Sequence, residues 1–198
     1  MTKYVVNSGG LKNNPEKAVE YFGEIVKDLG NNPHILMCFF AEKREHWEDK
    51  FKKHTDGFLR LASKDIKPNF SLAMPDKFTD QVADCDATYI HGGDDHLVQY
   101  WLRQFDLVEI FKGKVVATNS ASSDALSESF WPCDWRYCMK GLGILPIKFI
   151  PHYKSDWGKD DPRGPIDWNK AYRDLSEYGD KEVPIYALEE GEFIVFEV

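Results

Sequence analysis

Along the chain, short apolar runs alternate with longer stretches in which apolar positions recur every three or four residues. The short runs are Lys3–Asn7, His34–Phe40, Asn69–Met74, Ala87–His91, Lys114–Asn119, Ile147–Pro151, Ile185–Leu188 and Glu192–Val198. Two of them, Ile-Leu-Met-Cys-Phe-Phe and Val-Val-Ala-Thr, are continuous rather than alternating, which predicts strands covered on both faces. Pro15–Leu29 carries Ala18, Val19, Phe22, Ile25, Val26 and Leu29 as one stripe, with Asn13 or Asn14 as cap and Gly30 as stop, and predicts a helix. Ala41–Leu61 is charged but striped by Trp47, Phe51, Phe58 and Leu61. Shorter helices are expected over Asp76–Ala83, Asp95–Arg103, Asp106–Phe111 and Asp167–Tyr178.

Strands alternating with helices imply right-handed crossovers and an α/β fold, a mostly parallel sheet with helices on both sides. The last two runs flank Glu189-Glu190-Gly191 and read as a C-terminal β-hairpin. No interdomain linker or internal repeat interrupts the pattern, so residues 1–198 are expected to form a single domain.

Composition narrows the function classes. The net charge is −8, and the lysines at 50, 52 and 53 are interleaved with Glu48, Asp49 and Asp56, so no nucleic-acid partner is expected. Apolar runs are too short to span a bilayer, and no signal peptide precedes the first strand; a cytoplasmic protein without a membrane partner is the expectation, as monomer or homodimer. The four cysteines match neither a zinc knuckle nor a redox pair. His91, Asp94, Asp95 and His96 cluster in sequence but straddle a turn, and the dinucleotide glycine fingerprint is missing; neither metal nor cofactor is expected.

In parallel sheets ligands bind beyond the C-terminal strand ends, and three such ends carry chemistry. At Tyr89-Ile90-His91-Gly92-Gly93-Asp94-Asp95 a strand runs through two glycines into a helix, which suits either an anion site or a tight turn. At Val115–Ser123 a strand ends in Thr118-Asn119-Ser120-Ala121-Ser122, where Ser120 is either a nucleophile on a sharp elbow or a helix N-cap. The third strand ends in Pro151-His152-Tyr153, and His152 is the histidine best placed to act as a base.

Together these segments resemble the dipeptidase E family of serine peptidases, which includes the cyanophycinases. The resemblance rests on His91-Gly92-Gly93-Asp94-Asp95, Ser120-Ala121-Ser122, Pro151-His152-Tyr153 and the lead-in Gly141-Leu142-Gly143-Ile144-Leu145-Pro146. Ser8-Gly9-Gly10 and Leu188-Glu189-Glu190-Gly191 add to it, so that it spans nearly the whole chain. It implies a class I glutamine amidotransferase-like fold, a flavodoxin-like three-layer α/β/α sandwich. It makes Ser120 the nucleophile, His152 its general base and Asp134 the third triad member, with Asp124 as rival. Gly93 and Ala121 become oxyanion donors, and Gly92, Asp94 and Asn119 substrate contacts. The implied reaction is cleavage of short peptides, including N-terminal aspartyl dipeptides, through an acyl-enzyme. An aspartyl side chain needs a cation, for which Lys148, Lys154, Arg136 and Arg163 are candidates by location. Departures at Thr118, Asn119, Ser122 and Asp95 leave a second reading open, a catalytically silent binding or regulatory protein on the same scaffold.

Overall fold

The structure is a computed structural model that describes residues 1–61 and 65–198. Its elements in chain order are β1 (Lys3–Asn7), α1 (Pro15–Val26), β2 (His34–Cys38), α2 (Trp47–Leu61), β3 (Asn69–Leu72), α3 (Phe78–Asp84), β4 (Ala87–Ile90), α4 (Asp95–Leu102), α5 (Leu107–Ile110) and β5 (Val115–Asn119). They continue with α6 (Ala121–Leu126), β6 (Ser127–Phe130), β7 (Met139–Lys140), β8 (Leu145–Ile150), α7 (Trp168–Glu177), β9 (Ile185–Ala187) and β10 (Phe193–Glu197).

One sheet has the order β10-β1-β5-β4-β2-β3, parallel except for β10, and the other the order β7-β6-β8-β9. From β1 the chain crosses over β5 and β4 to β2 and then to β3; it afterwards returns to β4 and β5. Right-handed crossovers therefore place α1 and α2 on one face and α3, α4 and α5 on the other. α1 accordingly packs on α2, while α4 packs on α6. The expected α/β architecture holds. Connections leave β1 and β5 toward opposite faces, and that divergence opens a crevice at their C-terminal ends.

The apolar runs form strands because both faces are covered: Val5, Val6, Ile35, Leu36, Ala87, Ile90, Val116 and Ala117 are all buried. In α1 the buried stripe is Ala18, Tyr21, Phe22, Ile25 and Val26. Val19 lies outside it, exposed. That helix ends at Val26 rather than Leu29, because Lys27 turns extended and Asp28 adopts φ 68°. α2 starts at Trp47 rather than Ala41, whose carbonyl is taken by the Asp94 N–H at 2.8 Å.

The expected C-terminal hairpin is corrected. β9 pairs in parallel with β8, while β10 crosses to the other sheet and pairs antiparallel with β1. The Glu189–Glu192 turn, closed by Glu192 N–H to the Glu189 carbonyl at 3.1 Å, carries the chain between sheets. It is anchored to the end of β1: Asn7 Nδ2 donates to the Glu192 carbonyl at 3.0 Å and Gly191 N–H to the Gly9 carbonyl at 2.6 Å.

Candidate active site

Ser120 occupies the bend between β5 and α6 with φ 51° and ψ −117°, a conformation that costs a non-glycine residue about 1–3 kcal/mol. Its side chain does not cap the helix, which removes the N-cap alternative. Instead, Oγ lies 3.1 Å from His152 Nε2. Ser120 N–H donates to the Asn7 carbonyl at 3.0 Å, and Ser123 Oγ donates to the same carbonyl at 2.8 Å, so the bend is tied to β1.

The departures around the elbow fit the bend. Ser122 is fully buried and its hydroxyl donates to the Ile90 carbonyl at 2.6 Å while accepting from Asn119 N–H at 2.8 Å. A serine here bridges the ends of β4 and β5 rather than crowding the turn. Thr118 is also buried, with Oγ1 2.8 Å from Ser123 Oγ.

His152 follows β8 at φ 52° and is 4% exposed. Its N–H donates to Ser8 Oγ at 2.7 Å, and the Ser8 hydroxyl donates to the Leu188 carbonyl at 2.8 Å. Trp157 stacks on the imidazole with ring centroids 4.2 Å apart. Nδ1 lies 3.0 Å from Glu190 Oε1. With that carboxylate accepting from Nδ1–H, the Nε2 lone pair faces the Ser120 hydroxyl. Burial lowers the His152 pKa, and the hydrogen bond and charge of Glu190 work in the opposite direction.

The carboxylate against His152 is therefore Glu190, not Asp134 or Asp124. Strand register explains it. β8 and β9 are parallel with Ile150 opposite Ala187, so His152 and Glu190, two and three residues further on, emerge side by side. The expected hairpin concealed this partnership; an acidic residue just past the C-terminal end of a strand was the available signal. Asp134 lies at the crevice rim, where its carboxylate accepts from Trp157 Nε1 at 3.1 Å.

Asp124 is buried on α6 against Asp95 of α4, and one carboxyl oxygen of each lacks a hydrogen-bond partner. Burial raises both pKa values, Asp95 to about 7. The two interact by a side-chain hydrogen bond, and each also feels the Asp134 charge. Two carboxylates so close cannot both ionise cheaply, so the pair retains a proton. Together with Gly93, Ser120, Ala121 and His152, they bound a cavity of about 20 Å³.

Gly9 and Gly93 permit the close approach of these loops. A Cβ on Gly9, at φ 103°, would lie 2.5 Å from His152 Cε1. On Gly93, at φ 146°, it would lie 2.6 Å from the Ala41 carbonyl oxygen. Gly92, Gly93, Asn119 and Asp134 all line the crevice beside Ser120. Ala121 opens α6, where a backbone N–H has no partner within the helix. Asp94 does not join them: its carboxylate caps α4 by accepting from Leu97 N–H at 2.8 Å. His96 likewise packs on Trp135, with ring centroids 4.9 Å apart.

None of the four expected cations lines the crevice. Lys148 is fully buried and donates to the Leu175 carbonyl at 3.0 Å. Arg136 ties the 158–164 loop through the Gly164 carbonyl at 2.7 Å, Arg163 pairs with Asp161 at 2.6 Å, and Lys154 lies over the Tyr153 ring.

These features define an α/β protein with a Ser–His–carboxylate array at the divergence of its central sheet. No protein-family model and no curated protein sequence matches the chain. Its fold is that of two solved structures. One is a peptidase from an acI-B1 Actinobacterium, with TM-score 0.65 and 20% identity over 99% of this chain and 83% of that one. The other is a candidate peptidase E protein from Listeria monocytogenes EGD-e, with TM-score 0.66 and 14% identity over 100% of this chain and 99% of that one. Among the described residues, no helix is long and apolar enough to cross a membrane.

Proposed function

We propose that the protein is a serine hydrolase of the dipeptidase E type that cleaves short peptides through an acyl-enzyme on Ser120. The observation that carries this reading is the continuous contact from Ser120 Oγ to His152 Nε2 and from His152 Nδ1 to Glu190, at 3.1 and 3.0 Å, on a strained elbow. Both structural neighbours are described as peptidases, which supports the same reaction class.

Oγ of Ser120 attacks the scissile carbonyl carbon as Nε2 of His152 takes its proton. Glu190 holds the imidazole in the tautomer that can accept it and stabilises the imidazolium that results. The tetrahedral oxyanion is held by the N–H groups of Gly93 and Ala121, where one donor is worth roughly 3 kcal/mol of barrier. Collapse breaks the C–N bond, and His152 passes its proton to the departing amine. Water then attacks the acyl-enzyme with His152 again as base, releasing the acid and restoring Ser120. The protonated Asp95–Asp124 pair carries reduced negative charge next to the oxyanion position, so it opposes this chemistry less than two ionised carboxylates would.

The test is a panel of unblocked dipeptides incubated with wild-type and Ser120→Ala protein, followed by quantification of released amino acids. Release by the wild type alone is expected. Equal release by both, or release by neither from folded protein, would sink the reading in favour of a silent binding protein.

A further inference from the structure

A second cavity, of about 390 Å³, adjoins the crevice and shares Gly10, His91 and Asn119 with it. This volume lies within the roughly 300–1,000 Å³ typical of small-molecule sites. Its walls come from α1, α2 and β4: Phe22, Phe58 and Tyr89, all buried, provide aromatic surface. His54 and His91 complete the inner wall, their rings 4.2 Å apart. Burial keeps both imidazoles neutral, and the nearby Lys50 and Lys53 add to the effect.

Three cations, Lys12, Lys53 and Arg60, also line the cavity, and all three are solvent-exposed. Asp49 and Asp56 share a surface depression with Lys53 and Arg60. The inner wall therefore presents uncharged, largely aromatic surface, a poor environment for a short carboxylate side chain and a good one for a bulky apolar one.

Which substrate residue reaches this cavity follows from the proton path. His152 must protonate the leaving amine, so the leaving residue lies on the His152–Trp157 side of Ser120. The acyl residue then lies away from the imidazole, toward Asn119 and His91, which line both the crevice and the cavity. We propose that this aromatic cavity is the subsite for the acyl residue, and that it selects a bulky apolar side chain, phenylalanine or leucine, in place of aspartate. The proposal rests on the serine-hydrolase reading for the orientation of the peptide.

Gly57 of α2 offers a clean handle. It lines the cavity, lies outside the catalytic array, and a Cβ placed on it meets no atom within 4 Å. Gly57→Leu should fill the space and, by removing a glycine from mid-helix, should not weaken the fold. The experiment is titration calorimetry of Phe-Ala, Leu-Ala and Asp-Ala against Ser120→Ala protein, with and without Gly57→Leu.

Phe-Ala and Leu-Ala are expected to bind at least tenfold more tightly than Asp-Ala. Adding Gly57→Leu should reduce that preference below threefold, whereas Gly57→Ala should retain it. Asp-Ala binding as tightly as Phe-Ala, no binding by any dipeptide, or a preference that survives Gly57→Leu in folded protein would overturn the subsite. Fluorophosphonate labelling of the wild type reports separately on the serine. Labelling without the apolar preference sinks only the subsite; the preference without labelling sinks only the hydrolase reading.

Discussion

Two pairs of titratable side chains lie beside Ser120, and they are built on opposite principles. His152 and Glu190 are complementary: a donor faces an acceptor at 3.0 Å, and a proton taken from serine creates an ion pair. Asp95 and Asp124 are alike: two carboxyls share a buried space between α4 and α6, and each leaves an oxygen without a protein partner. The first pair is arranged to change charge during a reaction. The second resists charge, because burial favours the protonated form of both acids and neighbouring carboxylates add to it. A site can thus hold three carboxyl groups close to one nucleophile and still give only one of them an ionic role.

The largest effects should come from breaking the complementary pair. His152→Ala is expected to lower kcat/KM by about 10⁴ or more, since among the described residues no other base is hydrogen-bonded to Ser120 Oγ. Glu190→Gln should lower it by roughly 10²–10⁴, because the amide can hold the wrong imidazole tautomer. Its pH profile adds a readout that a merely structural role would not move. In the wild type, activity rises as His152 loses its proton, with a midpoint below the ordinary histidine value because burial dominates. Removing Glu190 removes the interaction that opposes this shift, so the midpoint moves to still lower pH. An unchanged midpoint would contradict the pairing.

The like pair should be felt in stability. A folded-state pKa raised above its unfolded value means that the folded protein binds more protons, so stability is lost as pH rises through the folded value. With Asp95 near 7, raising the pH from 6 to 8.5 is expected to remove about 1.4 kcal/mol, or roughly 3–6 °C in melting temperature. Asp95→Asn, which removes the titrating carboxyl, should cut that fall by at least half. Melting curves at the two pH values check it, and an undiminished fall would dissolve the distinction between the pairs. The smallest effect belongs to Asp134, which touches Trp157 rather than the imidazole. Asp134→Asn should cost less than about tenfold in kcat/KM, the range of a group acting only through another residue.

Much of this was legible in the chain. β1 runs over Lys3–Asn7 as its apolar pattern indicates, and the elbow follows a continuous buried strand that ends in small residues. Ser120 and His152 could be picked out because each sits one or two residues beyond such a strand. What stayed hidden depends on pairing between distant strands. Glu190 reaches His152 only because β9 joins β8 in parallel, and a local pattern of two strands around Glu-Glu-Gly favours a hairpin instead. β6 is hidden for a related reason. Ser127-Glu128-Ser129-Phe130 has no apolar run, and Ser127 is buried by donating to the Asp124 carbonyl at 2.7 Å. The cap role of Asp94 follows a familiar helix-start pattern that the resemblance to a substrate-binding turn overshadowed.

The most direct test is reaction of wild-type, Ser120→Ala and Glu190→Gln proteins with a fluorophosphonate, followed by intact mass. The wild type should gain one label per chain, Ser120→Ala none, and Glu190→Gln should label at least a hundredfold more slowly. Folded wild-type protein that stays unlabelled, or a label retained in Ser120→Ala, would contradict an activated Ser120–His152–Glu190 array.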